Sequence, residues 1–303
     1  MKHLLIVNGT KKVSKKQELE ALYAAFEGLD MEIHYTTAIG EATSFLKDYF
    51  AKEKEAEVTV YAVGGDGTIN EVCNGLIGFP NAIMAIVPMG TGNDFVKYYG
   101  GMEAFQDYSD IINGERHKID VSLIQGAEEG PIYSINVVNI GFDAYVGEMG
   151  SINARKGKKN PFNRAIPGGL VHAWKNKVKV ICDGQKINKD ILFLCTMAHG
   201  KYYGGQYCCA PKSDNEDGLF EFALVERISL PRFVTMVSSY GEGTHLDKPK
   251  FAKLFKTARG KHVEILCEKK TGLCVDGETV HGTHFTVDVV PGAITFLVPR
   301  KKA

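Results

Sequence analysis

Two short stretches set glycine, threonine and an acid side by side. The first is Gly64-Gly65-Asp66-Gly67-Thr68, followed by Ile69 and Asn70; the second is Gly90-Thr91-Gly92-Asn93-Asp94. Glycine reaches positive φ at little cost and, lacking Cβ, lets a bulky anion approach the backbone closely. Amide N–H groups at a turn that opens a helix suit phosphate. Asp66 is the odd member, because a carboxylate repels phosphate unless a cation lies between them. The first stretch therefore reads as a nucleotide-phosphate site with an Mg²⁺ component. It reads equally as a glycine-rich strand-to-helix turn carrying a solvated Asp. Further acids fall in two later turns, Asp214-Asn215-Glu216-Asp217-Gly218-Leu219 and Asp276-Gly277-Glu278. Each of these also fits an ordinary β-turn or hairpin.

The elements around the two glycine stretches set their geometry. Residues 58–63 (VTVYAV) form an apolar run that suits a strand buried on both faces of a parallel sheet. After Gly64-Gly65, Ile69, Val72, Cys73 and Leu76 follow helical spacing. Residues 83–87 (IMAIV) are a second such strand, broken by Pro88 ahead of the second stretch. In a parallel sheet both loops emerge at the carboxyl edge, where open α/β sheets bind ligands. Upstream, 4–7 and 32–35 read as strands. Leu19, Leu22, Tyr23, Phe26 and Leu29 predict one helix, and Ala42, Phe45, Leu46, Tyr49 and Phe50 another. Alternation of this kind predicts a right-handed parallel α/β domain over 1–124. Beyond it, short apolar runs at 132–138, 178–182, 191–197, 219–225, 263–267, 285–289 and 294–298 lie between turn residues, with Asp183-Gly184 as a hairpin signal. Residues 125–303 thus read as a mainly antiparallel β domain interrupted by one helix near 229–240.

The same residues carry a family resemblance. GGDGTINEVCNGL at 64–76, VPMGTGNDF at 87–95, NVVNIGFDA at 136–144, GKYYGGQYCCAPKSDNEDGLFE at 200–221 and VDGE at 275–278 resemble the diacylglycerol kinase catalytic-domain family, and specifically its soluble bacterial lipid kinases. Sphingosine kinases are more distant relatives, and NAD kinases share GGDGT. The resemblance covers nearly the whole chain with its motifs in family order. It implies an ATP-dependent kinase acting on a lipid hydroxyl, diacylglycerol first among the candidates. It also implies a last segment that returns to the first domain.

Phosphoryl transfer needs positioned phosphates, Mg²⁺ against developing charge, and a base for the acceptor hydroxyl. Gly64, Gly65, Asp66, Gly67, Thr68, Ile69 and Asn70 supply the cradle, with Thr91 beside them; Asp66 and Asp94 are the pair for Mg²⁺. Lys97, one helical turn after Asp94, is placed to pair with it, and Lys11 or Lys12 to complete the network. Thr36 matches the family's nucleotide-contacting threonine and equally suits a helix cap. By resemblance Asp276 and Glu278 face the phosphates across a cleft and supply the base, either one being the proton acceptor. Also by resemblance, Asp217 with oxygens of Asp214 and Leu219 forms a second, structural Mg²⁺ site. Two departures stand out: Asn8-Gly9-Thr10 lacks the family's proline, and His199-Gly200 replaces Asn-Gly. His199 is expected in the core, as a hydrogen-bonded residue.

Composition bounds the rest. Among 303 residues, 36 basic and 36 acidic side chains cancel, which removes any global case for nucleic-acid binding. Seven cysteines without a CxxC pair suit reduced packing residues of a cytoplasmic protein. No apolar run approaches the roughly 20 residues of a membrane span, so contact with a lipid substrate is expected to be peripheral. A homodimer is admitted as an assembly state. The stretch 151–164 carries Arg155, Lys156, Lys158, Lys159 and Arg164 with no acid, around Pro161-Phe162. It suits an anionic membrane surface and, more simply, a solvated loop. Trp174, the only tryptophan, is expected to pack internally. Rival readings are a kinase for a sphingoid or other lipid alcohol, an NAD kinase-like enzyme, and a nonenzymatic nucleotide- or lipid-binding relative.

Overall fold

The computed structural model describes residues 1–10, 14–189 and 191–300. The chain divides into two units, Met1–Asp120 with Pro291–Ala303, and Val121–Val290.

The first unit alternates strand and helix: β1 (Lys2–Asn8), α1 (Lys16–Ala25), β2 (Met31–Thr36), α2 (Glu41–Lys52), β3 (Val58–Gly64), α3 (Asp66–Leu76) and β4 (Ala82–Pro88), with a short α4 (Tyr108–Ile112) after them. Its sheet runs β2-β1-β3-β4, all parallel. The end of the chain's last strand adds beside β4, also parallel, at Thr295 and Phe296. Every residue of β3 and β4 is buried, which is why both read as unbroken apolar runs. α2 buries Ala42, Leu46 and Phe50, and α3 buries Ile69, Val72, Cys73 and Leu76, as the spacing predicts. The two helices touch where a Cβ on Gly75 would stand 2.8 Å from Leu46 Cβ. α1 buries Leu19 and Leu22, with Phe26 just past its end. Leu29 departs from expectation: it lies beyond the helix and is 42% exposed. The register pairs Asn8 with Thr36, Val7 with Val63 and Gly64 with Pro88, so four strands end along one carboxyl edge.

The second unit opens with the rest of β5 (Glu115–Gln125), then β6 (Ile132–Ser134), β7 (Val137–Gly141), α5 (Phe142–Arg155) and α6 (Ile166–Lys175). β8 (Val178–Cys182), β9 (Gln185–Lys186), β10 (Leu194–Ala198), β11 (Tyr202–Tyr203), β12 (Tyr207–Cys208) and β13 (Phe220–Val225) follow. The unit continues with α7 (Leu230–Gly241), α8 (Pro249–Ala252), β14 (Phe255–Gly260), β15 (His262–Val275) and β16 (Glu278–Val298), which ends in the first unit. The order β14-β13-β10-β7-β15-β16 is antiparallel at each pairing. One core cluster lies among Ile124, Ile140, Val180, Phe222, Val263 and Phe285; a second, with Phe142, Ala173, Phe193 and Met236, includes residues of α5, α6 and α7.

Three expectations need correction here. The run 132–138 is two strands, because the backbone at Ile135 and Asn136 is drawn to a side chain in the turn between two later strands, described below. The runs at 263–267 and 285–289 belong to strands more than twice as long. The largest miss is α5 and α6, where the sequence predicts one helix in the whole unit; of the basic stretch 151–164 only 151–155 is helical, and 156–162 is a turn, as a solvated loop implies. Glycines at 147, 150, 157, 168 and 169 hid them. A Cβ at Gly150 would collide with the Phe162 ring, and one at Gly169 would stand 2.8 Å from Val146 Cγ2. Close packing at these positions outweighs their poor helix propensity.

Candidate active site

The two glycine stretches meet at the carboxyl edge of β3 and β4. A Cβ on Gly65 would come within 3.1 Å of Gly90 Cα, so neither glycine tolerates a side chain without displacing the other loop. Asp66 ties the loops together: its Oδ1 accepts the Asp94 N–H at 2.7 Å and the Phe95 N–H at 3.4 Å. It thereby caps the 3₁₀ turn Phe95–Tyr99. Asn93, at φ 47°, braces the turn, donating from Nδ2 to Gly90 O at 2.9 Å and accepting the Gly90 N–H at 3.0 Å. Asp94 is buried and pairs through Oδ1 with Lys97 Nζ at 2.6 Å, as the i, i+3 spacing predicts.

Gly92 reveals what the second carboxylate oxygens do. A Cβ there would lie 2.9 Å from Asp66 Oδ2 and 3.7 Å from Asp94 Oδ2, so both oxygens converge on the space that glycine leaves. Two carboxylate oxygens brought to one point fit the way Mg²⁺ is held, an ion whose remaining ligands are ordinarily phosphate oxygens and water. Thr68 and Asn70 are buried in the first turns of α3, and Ile69 donates its N–H to Gly65 O at 3.0 Å. Asn8 Nδ2 donates to Thr68 Oγ1 at 3.4 Å. No Cβ contact opposes a side chain at Gly67, and Thr91 is exposed. Thr36 caps no helix: its carbonyl accepts the Gly9 N–H at 2.9 Å, and Glu41 Oε2 serves Thr37 and Ala38 instead. Lys11 and Lys12 lie outside the described residues.

In the second unit Asp276 and Gly277 form the two-residue turn between β15 and β16, with φ of 49° and 96° and Val275 paired to Glu278. Positive φ at both positions is the hairpin geometry that favours Asp-Gly. The Asp276 carboxylate is fully engaged. Its Oδ1 accepts Ser134 Oγ at 2.6 Å, the Asn136 N–H at 3.1 Å and the Val137 N–H at 2.9 Å, while Oδ2 accepts the Ile135 N–H at 2.9 Å. The chain uses the same device elsewhere: Asp183, in the Asp183-Gly184 turn, accepts the N–H groups of Lys261 and His262 at 3.2 Å and 3.0 Å. Glu278 is exposed, and among the described residues its side chain makes no hydrogen bond or ion pair.

A third acid in this unit was missed. Asp143, in the first turn of α5, is approached by the Tyr240 hydroxyl at 3.5 Å and hydrogen-bonded by Tyr203. Burial pushes its carboxyl up to about 6. Burial likewise raises the Cys274 thiol to about 12, with Asp276, Asp143 and Glu278 adding to the shift. An acid directly after a buried strand and a glycine was the signal available in NIGFDA. His199 lies in the core as expected, 1% exposed, with Nε2 3.0 Å from Ser122 Oγ, and burial lowers it to about 4.

The turn Asp214–Leu219 does not fit a resident cation. Asp214 Oδ1 accepts the Glu216 N–H and Asp217 Oδ1 the Leu219 N–H, each at 3.0 Å, while Asp217 Oδ2 is ion-paired with Arg259. Arg259 also lies 4.0 Å from Glu221. A guanidinium stands where the resemblance implied a metal.

Residues 2–124 match the model of the diacylglycerol kinase catalytic domain, and residues 136–298 match that of the YegS C-terminal NAD kinase beta sandwich-like domain. The chain belongs to the diacylglycerol kinase family of lipid kinases. A diacylglycerol kinase of Bacillus subtilis (strain 168) is 27% identical over 271 residues, 87% of this chain and 84% of that protein. A Yersinia pestis (strain Pestoides F) protein named "Probable lipid kinase YegS-like" is 25% identical over 311 residues, 98% and 96% of the two chains. Among solved structures, a diacylglycerol kinase from Bacillus anthracis str. Sterne superposes with a TM-score of 0.66 at 22% identity, covering 98% of this chain and 96% of that one. Yeast NADH kinase shares the fold more distantly, with a TM-score of 0.54 at 10% identity over all of this chain and 84% of its own. The architecture of this family member is thus the diacylglycerol kinase/NAD kinase type: a mostly parallel sheet followed by an antiparallel β domain. No described helix is long and apolar enough to cross a membrane.

Proposed function

We propose that the chain transfers the γ-phosphate of ATP to a lipid hydroxyl, with diacylglycerol as acceptor and phosphatidic acid as product, in phospholipid metabolism. The observation that carries the reading is the match of residues 2–124 to the diacylglycerol kinase catalytic domain, followed by the YegS C-terminal domain over 136–298, joined to acids in the expected turns. The first unit would take the nucleotide on Gly64–Asn70, Thr91 and Thr36. Asp66 Oδ2 and Asp94 Oδ2 would hold Mg²⁺ in the space beside Gly92, and Lys97 would hold Asp94 in place. Mg²⁺, bound with the phosphates, neutralises charge developing on the transferred group. In the second unit Glu278 is the better base, because Asp276 already accepts four hydrogen bonds and Glu278 accepts none. Asp276 instead fixes the turn that presents Glu278. The protein would work in the cytoplasm, peripherally on a membrane.

The acceptor is read directly by incubating the protein with γ-labelled ATP, Mg²⁺ and, in parallel, diacylglycerol, sphingosine and NAD. Label in phosphatidic acid alone is the expected result. Label in NADP, or in sphingosine phosphate alone, would replace this reading with one of its rivals.

A further inference from the structure

Residues 214–221 carry four acids, Asp214, Glu216, Asp217 and Glu221, yet the groups that meet them come from the chain itself. Asp217 Oδ2 is ion-paired with Arg259, whose Nε lies 4.0 Å from Glu221 Oε2. The pairing of β13 with β14 sets Arg259 directly opposite Glu221, which is 8% exposed. Asp214 Oδ1 and Asp217 Oδ1 each accept a backbone N–H of the turn, from Glu216 and Leu219. The Leu219 backbone faces the His199 ring: burial lowers that imidazole, and the Leu219 and Val121 backbones raise it. The ring is also held by Ser122, whose Oγ is 3.0 Å from Nε2. Asp217, Asp214 and Leu219, the residues that the resemblance implied as metal ligands, are therefore each engaged by the protein.

A guanidinium and a divalent ion answer the same need here, positive charge between two carboxylates. They differ in how they are kept. Arginine carries its N–H donors in a planar fork and holds its proton at any working pH, so it is neither chelated nor diluted away. A Mg²⁺ ion takes carboxylate, carbonyl and water oxygens, and it leaves when the free ion is removed. The rest of the turn is closed internally too: Ser213 Oγ donates to Gly200 O at 2.8 Å, and Gly218 takes a φ of 75°.

We propose that the Arg259 guanidinium is the resident cation of this turn, standing between Asp217 and Glu221 in place of a divalent ion, while the His199 ring serves Leu219. The inference concerns the second unit alone and does not depend on the lipid-kinase reading. It makes this turn a cation site that the chain fills by itself. Removing the guanidinium leaves the Asp217 and Glu221 carboxylates without their common counter-charge, and a divalent ion is the group that then satisfies both. A single substitution therefore converts a metal-independent turn into a metal-binding one.

The test counts bound Mn²⁺ by electron paramagnetic resonance on nucleotide-free protein, beside thermal melts in chelator and in Mg²⁺. Wild type and Asp217→Asn should bind the same number of ions. Arg259→Ala should melt lower than wild type in chelator and bind one more Mn²⁺ per chain. It should regain about 3–6 °C once Mg²⁺ reaches roughly ten times its dissociation constant. Adding Asp217→Asn to Arg259→Ala should abolish both the extra ion and the recovery. Arg259→Lys keeps a positive charge at this position and should show neither effect. A wild-type chain that loses a bound Mn²⁺ on Asp217→Asn overturns the proposal, because the ion would already hold the turn. So does an Arg259→Ala chain that takes up no further ion. Should Arg259→Ala be unfolded in chelator, folding restored by Mg²⁺ supports the proposal, and a chain unfolded in both overturns it.

Discussion

Asp276 and Glu278 sit two residues apart in one hairpin, yet the structure predicts opposite consequences for their loss. Asp276→Ala removes the acceptor of three backbone N–H groups and of the Ser134 hydroxyl. It also places alanine at φ 49°, a region that Asp and Asn tolerate better. Hydrogen bonds to a charged group contribute about 1.5–3 kcal/mol each, but four bonds sharing one loop do not add fully, so a loss of about 4–6 kcal/mol is expected. At about 2–4 °C per kcal/mol for a domain of this size, the melting temperature should fall by roughly 10–20 °C. Asp276→Asn can keep the three bonds to Oδ1 but turns an amide N–H₂ toward the Ile135 N–H, for a loss of about 1–3 kcal/mol. Glu278→Gln touches nothing, so its stability should stay within about 0.5 kcal/mol of wild type. Its turnover should fall by about 10²- to 10⁴-fold, with kcat and kcat/KM falling together and ATP binding retained. Thermal melts beside lipid-phosphorylation kinetics and an ATP-binding titration separate the two roles. A stable Asp276→Ala variant, or near-normal turnover in Glu278→Gln, would refute the assignment.

Gly92→Ala places a methyl 2.9 Å from Asp66 Oδ2, and should weaken Mg²⁺-dependent ATP binding at least about tenfold with the fold retained; unchanged affinity by calorimetry rules the Mg²⁺ position out. With Arg259 on Asp217, the melting temperature should not respond to chelator or Mg²⁺, whereas Arg259→Ala should lower it; a chelator-sensitive melt would show that an ion holds this turn. Burial lowers both His199 and His245 to about 4, below the ordinary 6.5, so the stability they contribute is complete above pH 6.5 and is lost as pH falls toward 4; His199→Gln should flatten that acid limb. Asp143 has the opposite sign: raised from 3.8 to about 6, it costs the folded state increasingly between pH 4 and 6. Asp143→Asn should therefore gain about 1–3 kcal/mol over wild type at pH 7 and nothing at pH 3.5, a difference that melts across pH would read.

The parallel sheet was legible because burial on both faces writes itself as continuous apolar sequence, in β3 and β4 most plainly. The meeting of the two glycine loops at one sheet edge was legible, but the work of Asp66 was only half visible. A role for its charge could be read from the sequence, whereas its capping of a turn 28 residues away depends on the tertiary meeting of two loops. The same limit explains why 132–138 read as one strand, since the break is made by Asp276, more than 130 residues on. α5 and α6 were hidden because their glycines serve packing against Phe162, Tyr145 and Val146, information that periodicity does not carry. Nothing in the sequence places Arg259 beside Asp217, because only the pairing of β13 with β14 brings Arg259 opposite Glu221, close to that turn.

The central claim is that this chain phosphorylates a lipid hydroxyl, with Glu278 as the base. Its most direct test is a time course of phosphate transfer from γ-labelled ATP to diacylglycerol in mixed micelles, run on wild type and Glu278→Gln. The account predicts labelled phosphatidic acid formed in step with ADP by wild type, and the same product about 10²- to 10⁴-fold more slowly by the variant. ADP released without labelled lipid, or equal rates from the two proteins, would contradict it.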